Sequence, residues 1–162
     1  MNIIQARSRE HLDTVRALFK EYADALDIDL CFQNFDQELA GLPGKYALPE
    51  GRLLLAVERD EAAGCVGLRN IGDNVCEMKR LYVRPAFRKK GLGRALAVEI
   101  ISAARQIGYD RMRLDTLSSM SAAIALYESL GFQRVAPYYH NPSARAVFME
   151  FRLHQNFSRQ AQ

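Results

Sequence analysis

Residues 78–96 (MKRLYVRPAFRKKGLGRAL) place a strand-like run, a basic loop and the pair Gly91 and Gly93 one after another, the glycines standing where a helix begins. The first turn of a helix leaves backbone N–H groups unpaired and carries partial positive charge. Glycines at that point let a ligand come close to the backbone. Arg88, Lys89, Lys90 and Arg94 surround the opening with cations. That combination suits a pyrophosphate or a similar polyanion better than it suits a loop of merely solvated charges. Two other phosphate-binding patterns can be tested on the same residues. GxxxxGK[ST] is absent. A GxGxxG fingerprint fails because Leu96 stands at its third glycine and residues 84–90 separate strand from glycine. Asp115 lies at roughly the twenty-residue spacing of a ribose-binding acid, but the chain before Val75 reads as a meander rather than the start of a doubly wound sheet.

The elements that must hold this loop follow from periodicity. Residues 2–6 read as a strand. Ser8 caps a helix in which Leu12, Val15, Leu18, Phe19 and Tyr22 recur at helical spacing to about Leu26. A short helix is expected from Asn34 to Leu39, then a loop marked by Gly41, Pro43, Gly44 and Pro49. Strands are expected at 52–58, 64–70 and 75–83, with Asp60 and Glu61 turning the first pair. A strong helix at 91–107 carries Leu92, Leu96, Ile100, Ala103 and Ile107 on one stripe and stops at Gly108. A strand at 111–115 follows, then a helix capped by Ser118 or Ser119 and ended by Gly131, and strands at 132–135 and 146–153. The early strands should be antiparallel, and the unit from Val75 to Asp115 should hold a parallel pair with a right-handed crossover.

Composition sets the frame. The chain has 162 residues, 49% hydrophobic and 25% charged, which suits one globular domain over residues 1–154 with a polar tail at 155–162. No apolar run is long enough to span a bilayer and no signal peptide is visible, so a soluble cytoplasmic protein without a membrane partner is expected. A net charge of +3 is too weak to argue for nucleic acid. Three cysteines without CxxC spacing and three scattered histidines argue against a disulfide framework or a metal site; Cys65 and Cys76 read as core thiols.

The hexapeptide from Arg88 to Gly93 resembles the (Q/R)xxGx(G/A) signature of the GNAT superfamily of acyl-CoA N-acyltransferases. EMKRLYVRP (77–85) and AIALYESLGF (123–132) also match, in family order and spacing, and the element order matches over residues 2–153. The resemblance implies an α/β GNAT fold, a mixed central sheet of about seven strands with helices on both faces. It implies acetyl-CoA as acyl donor without a metal. The backbone of Arg88, Lys89, Lys90, Gly91, Leu92, Gly93 and Arg94 would hold the CoA pyrophosphate, and the edge at Leu81, Tyr82 and Val83 would pair with the pantetheine amides. Met120 and Ala123 fall on the same path; members often carry Asn where Met120 stands.

An alkyl amine has a pKa near 10, so it must lose a proton before attacking a thioester. Glu77, six residues before Val83, stands where histone-acetylating members of the superfamily carry their base. Strict alternation would put Glu77 on one face with Lys79, Leu81 and Val83, the face of the pantetheine contacts. The other reading is a strand carboxylate paired with Lys79 or Arg80. Tyr127 matches the superfamily's general acid, which protonates the departing thiolate; the alternative is a core aromatic. A backbone N–H near Leu81 or Tyr82 would stabilise the oxyanion, where two parallel strands splay.

The acceptor should enter between the N-terminal helices (Tyr22, Asp24, Asp27, Asp29, Phe32) and the last hairpin (Tyr138, Tyr139, His140, Asn141). These groups suit a cation, whereas Arg69 and Arg80 suit a carboxylate. Sequence leaves open a small amine, an amino acid, a peptide N-terminus or a protein lysine. A non-catalytic acyl-CoA-binding or sensing module is the alternative function. A nucleic-acid-binding domain is weaker still, lacking a recognition helix or aromatic platform. Homodimerisation is common in such folds and is not established by these residues.

Overall fold

The computed structural model describes residues 1–26, 29–30 and 34–154. Within them the elements run β1 (Asn2–Gln5), α1 (Arg9–Ala25), α2 (Phe35–Ala40), β2 (Arg52–Glu58), β3 (Glu61–Asn70), β4 (Val75–Val83), α3 (Leu92–Ile107), β5 (Arg111–Leu117), α4 (Ser121–Leu130), β6 (Gln133–Val135) and β7 (Ala146–Arg152). The seven strands form one sheet in the order β1-β2-β3-β4-β5-β7-β6, antiparallel except for the β4–β5 pair. This is the expected mixed sheet in the expected order of elements.

Each helix buries one stripe. The Ser8 side chain accepts from the His11 N–H and caps α1, which turns Val15, Leu18 and Phe19 onto one face of the sheet. Phe35 and Leu39 of α2 join them. On the other face α3 buries Leu92, Leu96, Ala97, Ile100, Ile101 and Ala104, so the buried stripe leans from Ala103 toward Ala104. Burying each Leu or Ile side chain contributes about 1.5–3 kcal/mol. Helices therefore cover both faces, α1 and α2 over one core and α3 and α4 over the other.

Several boundaries shift for local reasons. The β2–β3 turn is Arg59–Asp60, one residue earlier than expected; both have positive φ (52° and 63°), as a two-residue hairpin loop requires. That frees Glu61 to start β3. Pairing with β7 carries β5 on to Leu117. The serine cap expected for α4 is not there: Met120 occupies the N-cap position, with no side-chain bond, and the helix begins at Ser121.

The largest departure lies inside β4. Gly67 faces Lys79 and Cys65 faces Tyr82, so two steps on β3 match three on β4, a β-bulge. Arg80 takes φ 60° there. The bulge reverses the alternation. Cys76 and Met78 share the α3 face with Leu81 and Val83, while Glu77, Lys79, Arg80 and Tyr82 turn to the α1–α2 face. The expectation that Glu77 shares a face with Leu81 and Val83 is thereby corrected.

Candidate active site

Parallel pairing of β4 with β5 covers only Val75, Cys76 and Glu77 against Arg111, Met112 and Arg113. Past these residues the two strands part and leave a notch through the sheet. Met78, Lys79, Arg80 and Leu81 line it from β4, and Leu114, Asp115 and Thr116 from β5. Tyr22 closes it from one face, Met120 and Tyr127 from the other. The notch adjoins a groove of about 470 Å³ that runs past Leu81, Tyr82, Val83, Met120 and Ala123 to Arg88. Six of the residues expected to hold the acyl donor thus line one continuous channel.

The remaining donor residues form the loop and helix start beyond Arg88. Arg88 donates from Nε to the Val83 carbonyl at 2.8 Å and lies over the Tyr82 ring. Lys89 (φ 65°) and Gly91 (φ 79°) take left-handed conformations, and Gly91 caps α3 without a side-chain bond, so the first-turn N–H groups meet no cap. Lys90 packs over Phe87. Leu92 is a core residue and offers only backbone to a ligand. Gly93 opens α3 beside it, and Arg94 donates to Ser129 Oγ at 2.9 Å.

Tyr127 packs its ring on Phe132, 5.8 Å between centroids, as a core aromatic would. Its hydroxyl has no hydrogen-bond partner among the described residues, and the residue lines the notch. Burial, and next the neighbouring Tyr22 and Asp115, push the phenol up, so it stays protonated at neutral pH. Tyr22 is pushed up to about 12, chiefly by burial. Met120 is held by Thr116, whose Oγ1 donates to the thioether at 3.6 Å.

The α1–α2 face of the sheet carries a polar network. Glu77 is 1% exposed; its Oε1 accepts from Arg69 Nε and Nη2, both at 2.8 Å, and its Oε2 accepts from the Tyr138 hydroxyl. Lys79 Nζ lies 3.9 Å from Glu77 and 3.2 Å from Asp115 Oδ1, the one group within reach of both carboxylates among these contacts. Asp115 also accepts from the Tyr139 hydroxyl at 2.6 Å, and Asn141 donates to that hydroxyl. Burial raises the Asp115 carboxyl, but Lys79, Tyr139 and Arg80 together hold it below the usual carboxylate range. Burial and then the adjacent carboxylates push both Tyr138 and Tyr139 up, which keeps them donors. Arg80 pairs with Glu38 and lies 5.2 Å over the Phe35 ring.

The structure thus brings Tyr22, Arg80, Tyr138 and Tyr139 into one cluster around Glu77 and Asp115. Phe32, like Asp27 and the tail at 155–162, lies outside the described residues. Sequence reasoning missed Asp115, Lys79 and Glu38 as site residues. Asp115 was accessible to it: the residue sits at the carboxyl end of a parallel strand, where ligands bind in α/β sheets. Among the described residues no group of three or more His, Cys, Asp or Glu is placed to hold a metal, and no helix is long and apolar enough to cross a membrane.

Comparison with known proteins bears on this geometry. Residues 12–132 match the model of the acetyltransferase (GNAT) family. An uncharacterised N-acetyltransferase of Schizosaccharomyces pombe is 43% identical, over 94% of this chain and 95% of its own. Another, from Dictyostelium discoideum, is 33% identical over 89% of this chain and 95% of its own. The PaiA N-acetyltransferase of Thermoplasma acidophilum, solved in complex with coenzyme A, shares the fold with a TM-score of 0.70, covering 94% of this chain and 99% of that one at 20% identity.

Proposed function

The chain belongs to the GNAT family and is an N-acetyltransferase, and from that premise we propose that it moves the acetyl group of acetyl-CoA to a primary amine by direct attack in a ternary complex. The observation that carries this reading is the notch between β4 and β5. It joins the donor groove to the polar face, with Tyr127 on one side and Asp115 with Lys79 on the other. CoA would lie along Leu81, Tyr82, Val83, Met120 and Ala123, with its pyrophosphate on the first turn of α3 and its charge met by Arg88, Lys89, Lys90 and Arg94.

In the step we assign, the neutral amine nitrogen attacks the thioester carbonyl carbon and the carbonyl oxygen becomes an oxyanion. A backbone N–H at the β4 bulge, Leu81 or Tyr82, donates to it. The C–S bond breaks as the tetrahedral centre collapses. Tyr127 gives its proton to sulfur as the C–S bond breaks; because a thiol's ordinary pKa of about 8.5 lies below a phenol's of about 10, the transfer is completed by reprotonation of the tyrosinate from solvent as the thiol leaves. The proton lost by the amine ends on Glu77. Both oxygens of Glu77 already accept bonds, so transfer runs through an intervening group, and Lys79 spans the distance from Asp115 to Glu77. Asp115, which itself lines the notch, orients the nitrogen.

The test is thiol release from acetyl-CoA in the presence of primary amines, with mass analysis of the amine. Release matched mole for mole by N-acetylated product is expected. Saturable acetyl-CoA binding without release, for every primary amine tried, would replace the enzyme with an acyl-CoA-binding module.

A further inference from the structure

A cavity of about 430 Å³ lies beside the polar cluster, between β3 and the α2 segment, with Glu38, Lys45, Tyr46 and Arg69 among its lining residues. We propose that it receives a carboxylate carried by the acceptor, so that the substrate is a peptide-length amine with an acid at its far end rather than a plain alkylamine or polyamine. This rests on the transferase reading above.

Among the described residues three carboxylates meet at the site, and each is engaged: Glu77 by Arg69 and Tyr138, Asp115 by Lys79 and Tyr139, Glu38 by Arg80 and Tyr46. A second ammonium finds no open carboxylate among these three. The open valences are cationic. Arg69 spends Nε and Nη2 on Glu77, and its Nη1 has no partner among the described residues. Lys45 has no ion-pair partner among them either. Both line this cavity. Glu77 holds the Arg69 guanidinium in place, so little side-chain entropy is lost when an oxyanion docks on it. Burial, the largest single influence, weakens that cation, but Glu77, Tyr46 and Glu38 together more than offset it, so it stays charged.

Length follows from register. Arg69 pairs with Glu77, and the backbone N–H assigned to the oxyanion lies at Leu81 or Tyr82, four or five residues further along β4. At about 3.3 Å per residue, less the bulge, amine and carboxylate sit roughly 10–13 Å apart. A lone α-amino acid does not reach; an extended chain of about three residues does. The buried Arg80–Glu38 pair lies between the two ends, Arg80 lining the notch and Glu38 the cavity.

Triglycine against triglycine amide, and 8-aminooctanoate against octylamine, isolate the carboxylate. The acid of each pair should show kcat/KM higher by about 10- to 100-fold, mostly through KM, as expected for a charge-assisted bond. Lys45→Glu, an exposed position on a short turn, should raise KM for triglycine and narrow the acid-over-amide preference. Equal kcat/KM for acid and amide, or a preference untouched by Lys45→Glu, would overturn the proposal and leave the transferase reading standing. Failure of every amine, acid or neutral, to release thiol would overturn both, the transferase reading first.

Discussion

Glu77 is the one buried carboxylate among the described residues and is held through both oxygens. In the proposed mechanism a base so held acts on the amine through neighbours, and its loss should appear in kcat. Glu77→Gln is expected to lower kcat about 100-fold or more, within the range of general base catalysis, while acetyl-CoA affinity holds. A variant with wild-type kcat and an unaltered pH–rate profile would remove Glu77 from the mechanism. Asp115 gives a second expectation, in stability. Its folded pKa is depressed, so its contribution is present above the unfolded value near 3.9 and is lost as pH falls through the folded one. Urea unfolding across that acid range should show Asp115→Asn losing less stability with falling pH than the wild type. Equal losses would mean that Lys79 and Tyr139 do not hold the charge. Glu77 and Tyr127 were legible in the sequence because each sits in a contiguous segment that resembles a motif. Lys79 and Glu38 were not, because their partners are remote: Lys79 meets Asp115 across 36 residues and Arg80 meets Glu38 across 42.

At the scale of elements, the site exists because β4 changes phase. Without the bulge at Arg80, Lys79 and Leu81 would share a face, and the polar network and the donor groove would compete for one side of the sheet. Hydrophobic alternation gave the strand and its limits but not the bulge, since VCEMKRLYV contains no glycine to mark it and the extra residue shows only in register with β3. The α4 start was misplaced for a related reason: serines flank Met120 on both sides, yet none of their side chains caps the helix. Close packing under the bulge makes a further expectation. A Cβ on Gly67 would sit 2.7 Å from the Tyr46 ring. Gly67→Ala should therefore destabilise the fold by about 1–3 kcal/mol in denaturant unfolding. A neutral substitution would show that Tyr46, and with it the wall of the cavity beside Arg69, moves freely.

For the molecule as a whole, a net charge of +3 is spread unevenly. The loop before α3 gathers Arg88, Lys89, Lys90 and Arg94, whereas the α1–α2 face of the sheet pairs its cations with carboxylates. A polyanionic donor should accordingly bind the folded chain alone and stabilise it. At acetyl-CoA near 100 times Kd the gain is about 2.7 kcal/mol, a rise in Tm of about 5–10 °C for a chain of this size. A thermal shift absent at saturating acetyl-CoA would deny the groove its ligand. The order of elements, the mixed sheet and the donor loop were all readable from periodicity and motif; the acceptor side had to be seen folded, because the loop between β6 and β7 lays its tyrosines on carboxylates of β4 and β5. The central claim is that transfer occurs at the notch with Tyr127 as proton donor. The measurement that tests it most directly is the rate of acetyl transfer by Tyr127→Phe beside its dissociation constant for acetyl-CoA. The account predicts a fall in kcat of about 100-fold or more with the dissociation constant unchanged; a variant as active as the wild type would contradict it.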